Sequence, residues 1–178
     1  MDLVSIKLLE KKDIRDLLYF EIQNREYFNE IGINRPEGYY EYDNFKDINI
    51  SLLENQEKSK GFFYLVLDKD NHIIGRINLL DVEYGFYKKA NLDYKIGKRH
   101  QNKGYGSKAV KLVLDMAKNI HNLHRIEAST FFKNKPSQII LIKNDFDFVG
   151  KYSKYYFNGE EWEDKLLFEK ILDWLIYG

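Results

Sequence analysis

The 178-residue chain carries 28 lysine and arginine residues against 28 aspartate and glutamate residues. Its formal net charge of +0 therefore creates no overall field that would recruit nucleic acid or an anionic membrane. It contains no cysteine, which excludes disulfides, thiolate metal sites and cysteine nucleophiles. With 44% hydrophobic residues and no linker-like or low-complexity stretch, it predicts a single domain over residues 1–178.

The N-terminal residues predict no targeting segment. They lack a basic flank followed by an apolar stretch, and the longest apolar run, Phe62–Leu67, is far too short to cross a bilayer. We therefore expect a cytoplasmic protein without nucleic-acid or membrane partners.

Hydrophobic periodicity predicts the first half of the chain as a strand, two helices and three strands. The strand covers residues 3–9, and a helix capped by Asp13 is predicted to run to Gly32. A less regular helix is expected between residues 40 and 57. The period then changes from that of a helix to that of a strand. The three strands are predicted at residues 62–67, 73–82 and 90–96.

Helical spacing returns after Gly104, and a strand follows at residues 124–131. The isoleucines of residues 136–143 favour a strand, whereas the length and position of this segment suit a short helix. Asn158-Gly159 is a strong hairpin signal between two final strands. The whole order predicts an α/β or α+β protein with helices packed on a sheet. The buried stripe of the helix after Gly104 is predicted to contain Val110, Val113, Leu114, Ala117 and Ile120.

The loop sequence RHQNKGYGSKAV, at residues 99–110, combines basic side chains with two closely spaced glycines. Gly104 to Ala109 also fits the dinucleotide pattern G-x-G-x-x-A, with Glu127 near the place of a ribose-binding acid. In that pattern the first glycine directly follows the strand, whereas seven residues separate Ile96 from Gly104. A solvated turn without a ligand is an equally simple interpretation of the loop by itself. As an anion site, Gln101-x-x-Gly104-x-Gly106 at the start of a helix would suit a diphosphate such as that of coenzyme A.

The chain resembles the GNAT N-acetyltransferase superfamily, whose acetyl-CoA loop has the pattern Q/R-x-x-G-x-G/A after the fourth strand. The resemblance covers nearly the whole chain and is carried best by residues 91–117, 123–150 and 155–172. It is greatest to the Rim-type, ribosomal-protein N-terminal branch, with the spermidine acetyltransferase branch close behind. It implies a mixed, mostly antiparallel sheet of about seven strands, splayed between the fourth and fifth, with about four helices.

The resemblance also implies a reaction in which a free amine attacks the thioester of acetyl-CoA directly. It places the main-chain N–H of Ile96 at the developing oxyanion and Ser137 as the acid for the leaving thiolate. Leu141 occupies the position of the tyrosine that many members use. Asn91 replaces a frequent glutamate; Asp93, two residues further on, is the candidate base, and Glu83 on the preceding strand is a further candidate. The cofactor-binding residues implied are Ile96, Lys98, Arg99, Gln101, Asn102, Lys103, Gly104, Tyr105, Gly106, Ser107 and Asn134.

Simpler roles remain open for three of these residues. Ser137 and Asn134 would also serve as first-turn and capping residues of a short helix, and Asp93 as a surface aspartate. His121 and His124, with Glu127, have a spacing that favours structural roles over a metal site, so we expect no metal.

The expected function is acetyl transfer to a protein N-terminal α-amine. An α-amino group has a pKa of about 8, whereas a lysine or polyamine amine lies above about 10 and demands a stronger base. A polyamine or other small-amine acetyltransferase is the alternative within the family, and a CoA-binding sensor without turnover is the alternative outside catalysis. A nucleotide-dependent oxidoreductase is more distant. The expected partner is the amine acceptor, and the protein is expected to be a monomer or homodimer.

Overall fold

Seven strands form one mixed sheet in the computed structural model, which describes residues 4–172. They are β1 (Ser5–Leu8), β2 (Phe62–Leu67), β3 (Ile73–Glu83), β4 (Lys89–Ile96), β5 (Arg125–Phe131), β6 (Asp147–Phe157) and β7 (Trp162–Ile171). Their order across the sheet is β1-β2-β3-β4-β5-β7-β6, and every neighbouring pair is antiparallel except β4 and β5. The predicted mostly antiparallel sheet of seven strands is confirmed, although Leu3 of the first predicted strand lies outside the described residues.

Five α-helices within residues 4–172 pack on the sheet, one more than the resemblance implied. They are α1 (Ile14–Gln23), α2 (Arg25–Glu30), α3 (Tyr42–Glu57), α4 (Tyr105–Asn119) and α5 (Lys135–Lys143). None of the helices in this part of the chain has the length and hydrophobicity needed to span a membrane.

The additional helix arises because the predicted helix from Asp13 to Gly32 is interrupted at Asn24. The side chain of Asn24 donates to Phe20 O at 2.8 Å and accepts from the main-chain N–H of Lys98 at 2.9 Å. Such bonds compete with the helical backbone, and the φ and ψ of Asn24 are −107° and 6°. Asp13 occupies the predicted N-cap position of α1, but its carboxylate accepts from the main-chain N–H of Glu10 and makes no cap hydrogen bond to α1.

Two hydrophobic cores lie on opposite faces of the sheet. Strand β2 was predicted with its observed bounds and contributes to both, because alternate side chains point to opposite faces. On one face α4 and α5 cover the sheet, and on the other α1, α2 and α3 do so. The predicted stripe of α4 is buried except for Ile120, which is 65% exposed because α4 ends one residue earlier.

The ambiguous segment at residues 136–143 is helical. Asn134 caps α5 by accepting a hydrogen bond from the main-chain N–H of Ser137, and Pro136 lies in the first turn. Proline is favoured there because the N–H that it lacks would have no helical partner. In the predicted hairpin, β6 begins at Asp147 and is longer than expected.

His121 belongs to the core, where its ring stacks on Phe62 with centroids 3.5 Å apart and its Nε2 lies 2.5 Å from the hydroxyl of Tyr64. Burial lowers the pKa of His121 from 6.5 to about 4. The unfolded chain takes up this proton near pH 6.5, and the folded chain only near pH 4. The contribution of neutral His121 to stability is therefore complete above pH 6.5 and decreases as the pH falls toward 4.

We expect His121→Gln, which keeps a hydrogen-bonding side chain but cannot titrate, to flatten the dependence of Tm on pH between 6.5 and 4. Thermal unfolding followed by circular dichroism at a series of pH values measures this. The matched control is His124→Gln, because the side chain of His124 is exposed and its replacement should leave the wild-type dependence in place. A wild-type slope in the His121 variant would contradict the prediction.

Candidate active site

The parallel strands β4 and β5 diverge part-way along their length. Their pairing runs from Lys89 opposite Arg125 to Leu92 opposite Ala128. Beyond Leu92, β4 continues to Ile96 alongside β3 without a partner in β5. The predicted splay between the fourth and fifth strands is confirmed, and it leaves a gap beside residues 93–96.

Ile96 presents its main-chain polar groups to this gap. It lies opposite Gly75 of β3, and the next residue, Gly97, donates to Ile74 O at 2.9 Å. This pattern makes Ile96 and Gly75 a non-hydrogen-bonded pair, in which the N–H and C=O point away from the partner strand. The C=O of Ile96 accepts a hydrogen bond from Gln101 Nε2 at 2.6 Å. The N–H of Ile96 is aimed into the gap, where a hydrogen-bond donor would meet a developing oxyanion.

Gly75 holds β4 in this position, and the sequence analysis did not identify it. A Cβ atom at residue 75 would lie 2.6 Å from Lys95 O and 2.7 Å from Ile96 Cδ1. The backbones of β3 and β4 can approach this closely only because residue 75 has no side chain. A glycine inside a strand pattern is a recognised signal of such an approach, so this residue could have been found.

The glycine loop leads from β4 into α4. Gly104 is the N-terminal cap of α4 with φ of +75°, a conformation that favours glycine, and nothing lies within 4 Å of where its Cβ would be. The main-chain N–H groups of the first turn of α4 are therefore approachable from this side, and the helix dipole favours an anion there. Lys98, Arg99 and Lys103 are exposed around the same loop. These residues fit a diphosphate with an additional phosphate nearby.

Gly106 also lies against α5, a contact that its predicted role in cofactor binding did not include. A Cβ atom there would lie 2.9 Å from Ile140 Cδ1, so this glycine allows α5 to pack closely on the start of α4. Ser107 is also engaged with α5, because its Oγ accepts from Asn144 Nδ2 at 3.1 Å. These two contacts fix α4 and α5 to each other.

The other predicted cofactor residues divide into internal and exposed ones. Gln101 supports Ile96 as described, and Tyr105 is 8% exposed. Asn134 caps α5, and its capping amide oxygen is occupied by Ser137 N–H. Asn102 is exposed at the loop with φ of +61°.

Ser137 meets a residue that the sequence analysis did not single out. The hydroxyl of Tyr94, on β4, lies 2.9 Å from Ser137 Oγ and 3.3 Å from Ser137 O. Burial raises the pKa of Tyr94 to about 12, although the hydrogen bond with Ser137 acts in the opposite direction. Leu141, where the resemblance implies a tyrosine in many members, is 1% exposed and belongs to the core.

Asp93 lies on the other face of β4 from Tyr94, because successive side chains of a strand alternate. It is exposed, and its carboxylate accepts a hydrogen bond from Asn78 Nδ2 at 3.1 Å. Asn91, on the same face, donates to Asp81 at 3.1 Å. The structure therefore does not bring Asp93 and Ser137 together, but places them on opposite sides of the strand that borders the gap.

A buried cluster of charges lies under α1 on the face of Asp93. Glu21 is fully buried, with its carboxylate 2.5 Å from Lys95 Nζ and 3.6 Å from both Arg76 and Arg35. Burial lowers the pKa of Lys95 to about 8, although Glu21 opposes this shift. The cluster joins α1 to β3 and to the end of β4, next to Ile96.

A family model described as an acetyltransferase (GNAT) domain matches residues 4–147. The chain belongs to the GNAT acetyltransferase family. It is similar to the [ribosomal protein uS5]-alanine N-acetyltransferase of Escherichia coli, with 24% identity over 93% of this chain and 86% of that protein. The crystal structure of ribosomal-protein-S5-alanine acetyltransferase from Vibrio fischeri has a TM-score of 0.88, 24% identity and 97% coverage of both chains. Spermidine N-acetyltransferase from Vibrio cholerae, in complex with CoA and spermine, has a TM-score of 0.79, 19% identity and coverage of 94% of this chain and 95% of that one.

As a member of the GNAT family, the protein is an acyltransferase. Its gap between β4 and β5 joins a main-chain donor, an approachable helix N-terminus and a pair of hydroxyl groups. These are the elements that acyl transfer requires: stabilisation of an oxyanion, binding of the donor and a source of protons.

Proposed function

We propose that this GNAT acyltransferase transfers an acetyl group from acetyl-CoA to a primary amine in a ternary complex, and that the acceptor is a protein N-terminal α-amine. The observation that carries the proposal is the N–H of Ile96, aimed into the gap directly after the strands diverge and directly before the glycine loop.

Acetyl-CoA would bind with its diphosphate on the first turn of α4 and its thioester in the gap. The open turn at Gly104 supports this placement, and the exposed cations of the loop supply the charge for an additional phosphate. The proposed binding residues are Ile96, Lys98, Arg99, Gln101, Asn102, Lys103, Gly104, Tyr105, Gly106, Ser107 and Asn134.

In the proposed reaction the neutral amine attacks the thioester carbon, so that a C–N bond forms and the C–S bond breaks. The N–H of Ile96 stabilises the oxyanion of the intermediate. Asp93 takes the proton of the amine through a water molecule, and Ser137 Oγ–H supplies the proton that the sulfur gains. The base and the acid then act from opposite faces of β4.

The α-amine is favoured over a polyamine because of the strength of base each needs. An α-amine with a pKa of about 8 is partly neutral at physiological pH, whereas an amine above about 10 is almost entirely protonated. Asp93 is exposed and accepts one hydrogen bond, from the side-chain amide of Asn78. An exposed carboxylate is a weak base. The E. coli relative, which is named a [ribosomal protein uS5]-alanine N-acetyltransferase, supports the same choice.

A polyamine is the second candidate, and the fold shared with a spermidine N-acetyltransferase supports it. Release of CoA thiol from acetyl-CoA, measured with a panel of amines, decides between the candidates. The panel consists of a peptide with a free N-terminal alanine, the same peptide with a blocked N-terminus and an internal lysine, and spermidine. We expect thiol release with the first alone. Release only with spermidine would contradict the α-amine, and binding of acetyl-CoA without release for any amine would favour a sensor.

Ser137→Ala is expected to lower kcat by about 100-fold, the usual contribution of a general acid, while KM for acetyl-CoA changes by less than about twofold. Steady-state kinetics with the best amine of the panel measure both constants. Ser153→Ala, an exposed serine on the distant strand β6, is the matched control and should behave as wild type. An unchanged kcat in the Ser137 variant would remove its role as the acid.

A further inference from the structure

The hydroxyl of Tyr94 makes two contacts with Ser137 that take no part in the reaction proposed above. Tyr94 reaches across from β4 to the first turn of α5, so its hydroxyl faces both Oγ and O of Ser137. The N–H of Ser137 is fixed separately by Asn134 at 3.2 Å. The serine is thus fastened to the strand that borders the gap as well as to its own helix.

We infer that Tyr94 is a positioning residue for proton delivery: its O–H donates to Ser137 Oγ, which leaves the proton of Ser137 free to point at the departing sulfur. The inference rests on the proposed function and deepens it. It adds a residue from β4 to a role that the resemblance had placed on α5 alone.

We assign the direction of this hydrogen bond from the acidity of the two hydroxyls. Either hydroxyl could donate across the 2.9 Å contact, and the carbonyl oxygen of Ser137, which can only accept, competes for the tyrosine proton at 3.3 Å. A phenol is a stronger acid than an aliphatic alcohol, so it is the better donor of the two. Burial keeps the pKa of Tyr94 at about 12, so the phenol retains its proton at physiological pH.

The proton transfer balances in two linked steps. As the C–S bond breaks, the sulfur takes the proton of Ser137 Oγ, and the oxygen of Ser137 takes the proton of Tyr94. The tyrosinate regains a proton from solvent water after the products form. The charge left on the protein is then carried by a phenolate rather than by an alkoxide, which is the less stable anion.

Tyr94 supplies a hydroxyl to the helix on which the resemblance implies a tyrosine, where this chain has Leu141. Leu141 is buried and its side chain has no polar group. Tyr94, on β4, brings a hydroxyl to α5, the helix that contains Leu141. The ring of Tyr94 packs against the core of α4 and α5, which restricts the hydroxyl to the position beside Ser137.

The first test measures binding of CoA and of acetyl-CoA by calorimetry between pH 7 and pH 9.5, and needs no acceptor. Free CoA carries a thiol with a pKa of about 8.5, whereas acetyl-CoA cannot ionise there. A hydroxyl pair that donates to the sulfur lowers the pKa of the bound thiol. If this pKa falls by one unit, the affinity for CoA relative to that for acetyl-CoA increases about tenfold as the pH rises. We expect this rise in the wild type and its loss in Tyr94→Phe, which keeps the ring.

Tyr64→Phe is the matched control, because Tyr64 is a buried tyrosine whose pKa is also raised to about 12 but whose hydroxyl contacts His121. It should keep the rise. An identical rise in Tyr94→Phe and wild type, or no rise in the wild type, would overturn the inference. Since this test uses no amine, failure of the amine panel would count against the proposed function without deciding the role of Tyr94.

The second test uses turnover with the best amine. We expect Tyr94→Phe to lower kcat by about 10- to 100-fold with little change in KM for acetyl-CoA, and the double variant with Ser137→Ala to be no slower than Ser137→Ala alone. A plot of rate against the deuterium content of the solvent should be curved for the wild type and straight for Tyr94→Phe, since one of two moving protons is removed. Independent, multiplying losses in the double variant would show a structural role instead.

Discussion

Replacing Glu21 with glutamine is expected to lower the free energy of unfolding by about 3–5 kcal/mol, because it leaves buried cations without their carboxylate. Lys95, Arg76 and Arg35 all face Glu21, and no part of the Glu21 side chain is exposed. The isosteric amide keeps the shape of the side chain but removes its charge. Urea unfolding at neutral pH measures the change, and the slope of the transition shows whether it remains two-state.

The matched control is Glu30→Gln, which removes an exposed carboxylate 3.4 Å from Lys98 Nζ. An exposed pair contributes at most about 1 kcal/mol, so this variant should remain close to wild type. Adding Lys95→Met to Glu21→Gln should recover part of the loss, since one uncompensated cation is removed. A loss below about 1 kcal/mol in Glu21→Gln would show that the cluster does not depend on the charge of Glu21.

The order of elements follows from local sequence patterns. Strand β2 and the helix from Gly104 were predicted closely because their apolar residues repeat at the period of a strand or a helix. The break at Asn24 could not be predicted in this way, since the helical period runs through it without glycine or proline. It depends on a hydrogen bond to Lys98, which lies 74 residues further along the chain.

The candidate site was predicted in part. The residues that were predicted belong to local motifs, whereas those that were missed make contacts between distant parts of the sequence. The glycine loop is a local motif, and the resemblance placed Ile96 beside it. The contact of Tyr94 with Ser137 joins residues 43 apart, and neither residue carries a local signal for it. Glu21 had a signal that was overlooked, because it lies four residues after Leu17 on the buried face of α1.

Gly75→Ala is expected to have the largest effect on activity, because it forces β4 away from β3 at the residue that faces the gap. The added Cβ would lie 2.6 Å from the backbone oxygen of Lys95, a contact that a side-chain rotation cannot relieve. Such overpacking costs about 1–3 kcal/mol of stability. A displacement of about 1 Å in the N–H of Ile96 lowers kcat by about 100-fold, so we expect at least this loss of thiol release in the folded variant.

Gly61→Ala separates the effect of position from that of the substitution itself. A Cβ at residue 61 would lie 3.0 Å from Cζ of the Phe63 ring and 3.3 Å from Leu79 O, so the ring and the backbone there need to move by only a few tenths of an ångström. We expect it to lose less stability than Gly75→Ala and to keep wild-type kcat, with unfolding and turnover measured on the same preparations. Activity is compared without denaturant and at a temperature well below each Tm. A loss confined to Gly75→Ala therefore reports the position of Ile96 rather than the unfolded fraction. A Gly75→Ala variant with wild-type kcat would show that the main-chain donor of β4 does not hold the reacting carbonyl.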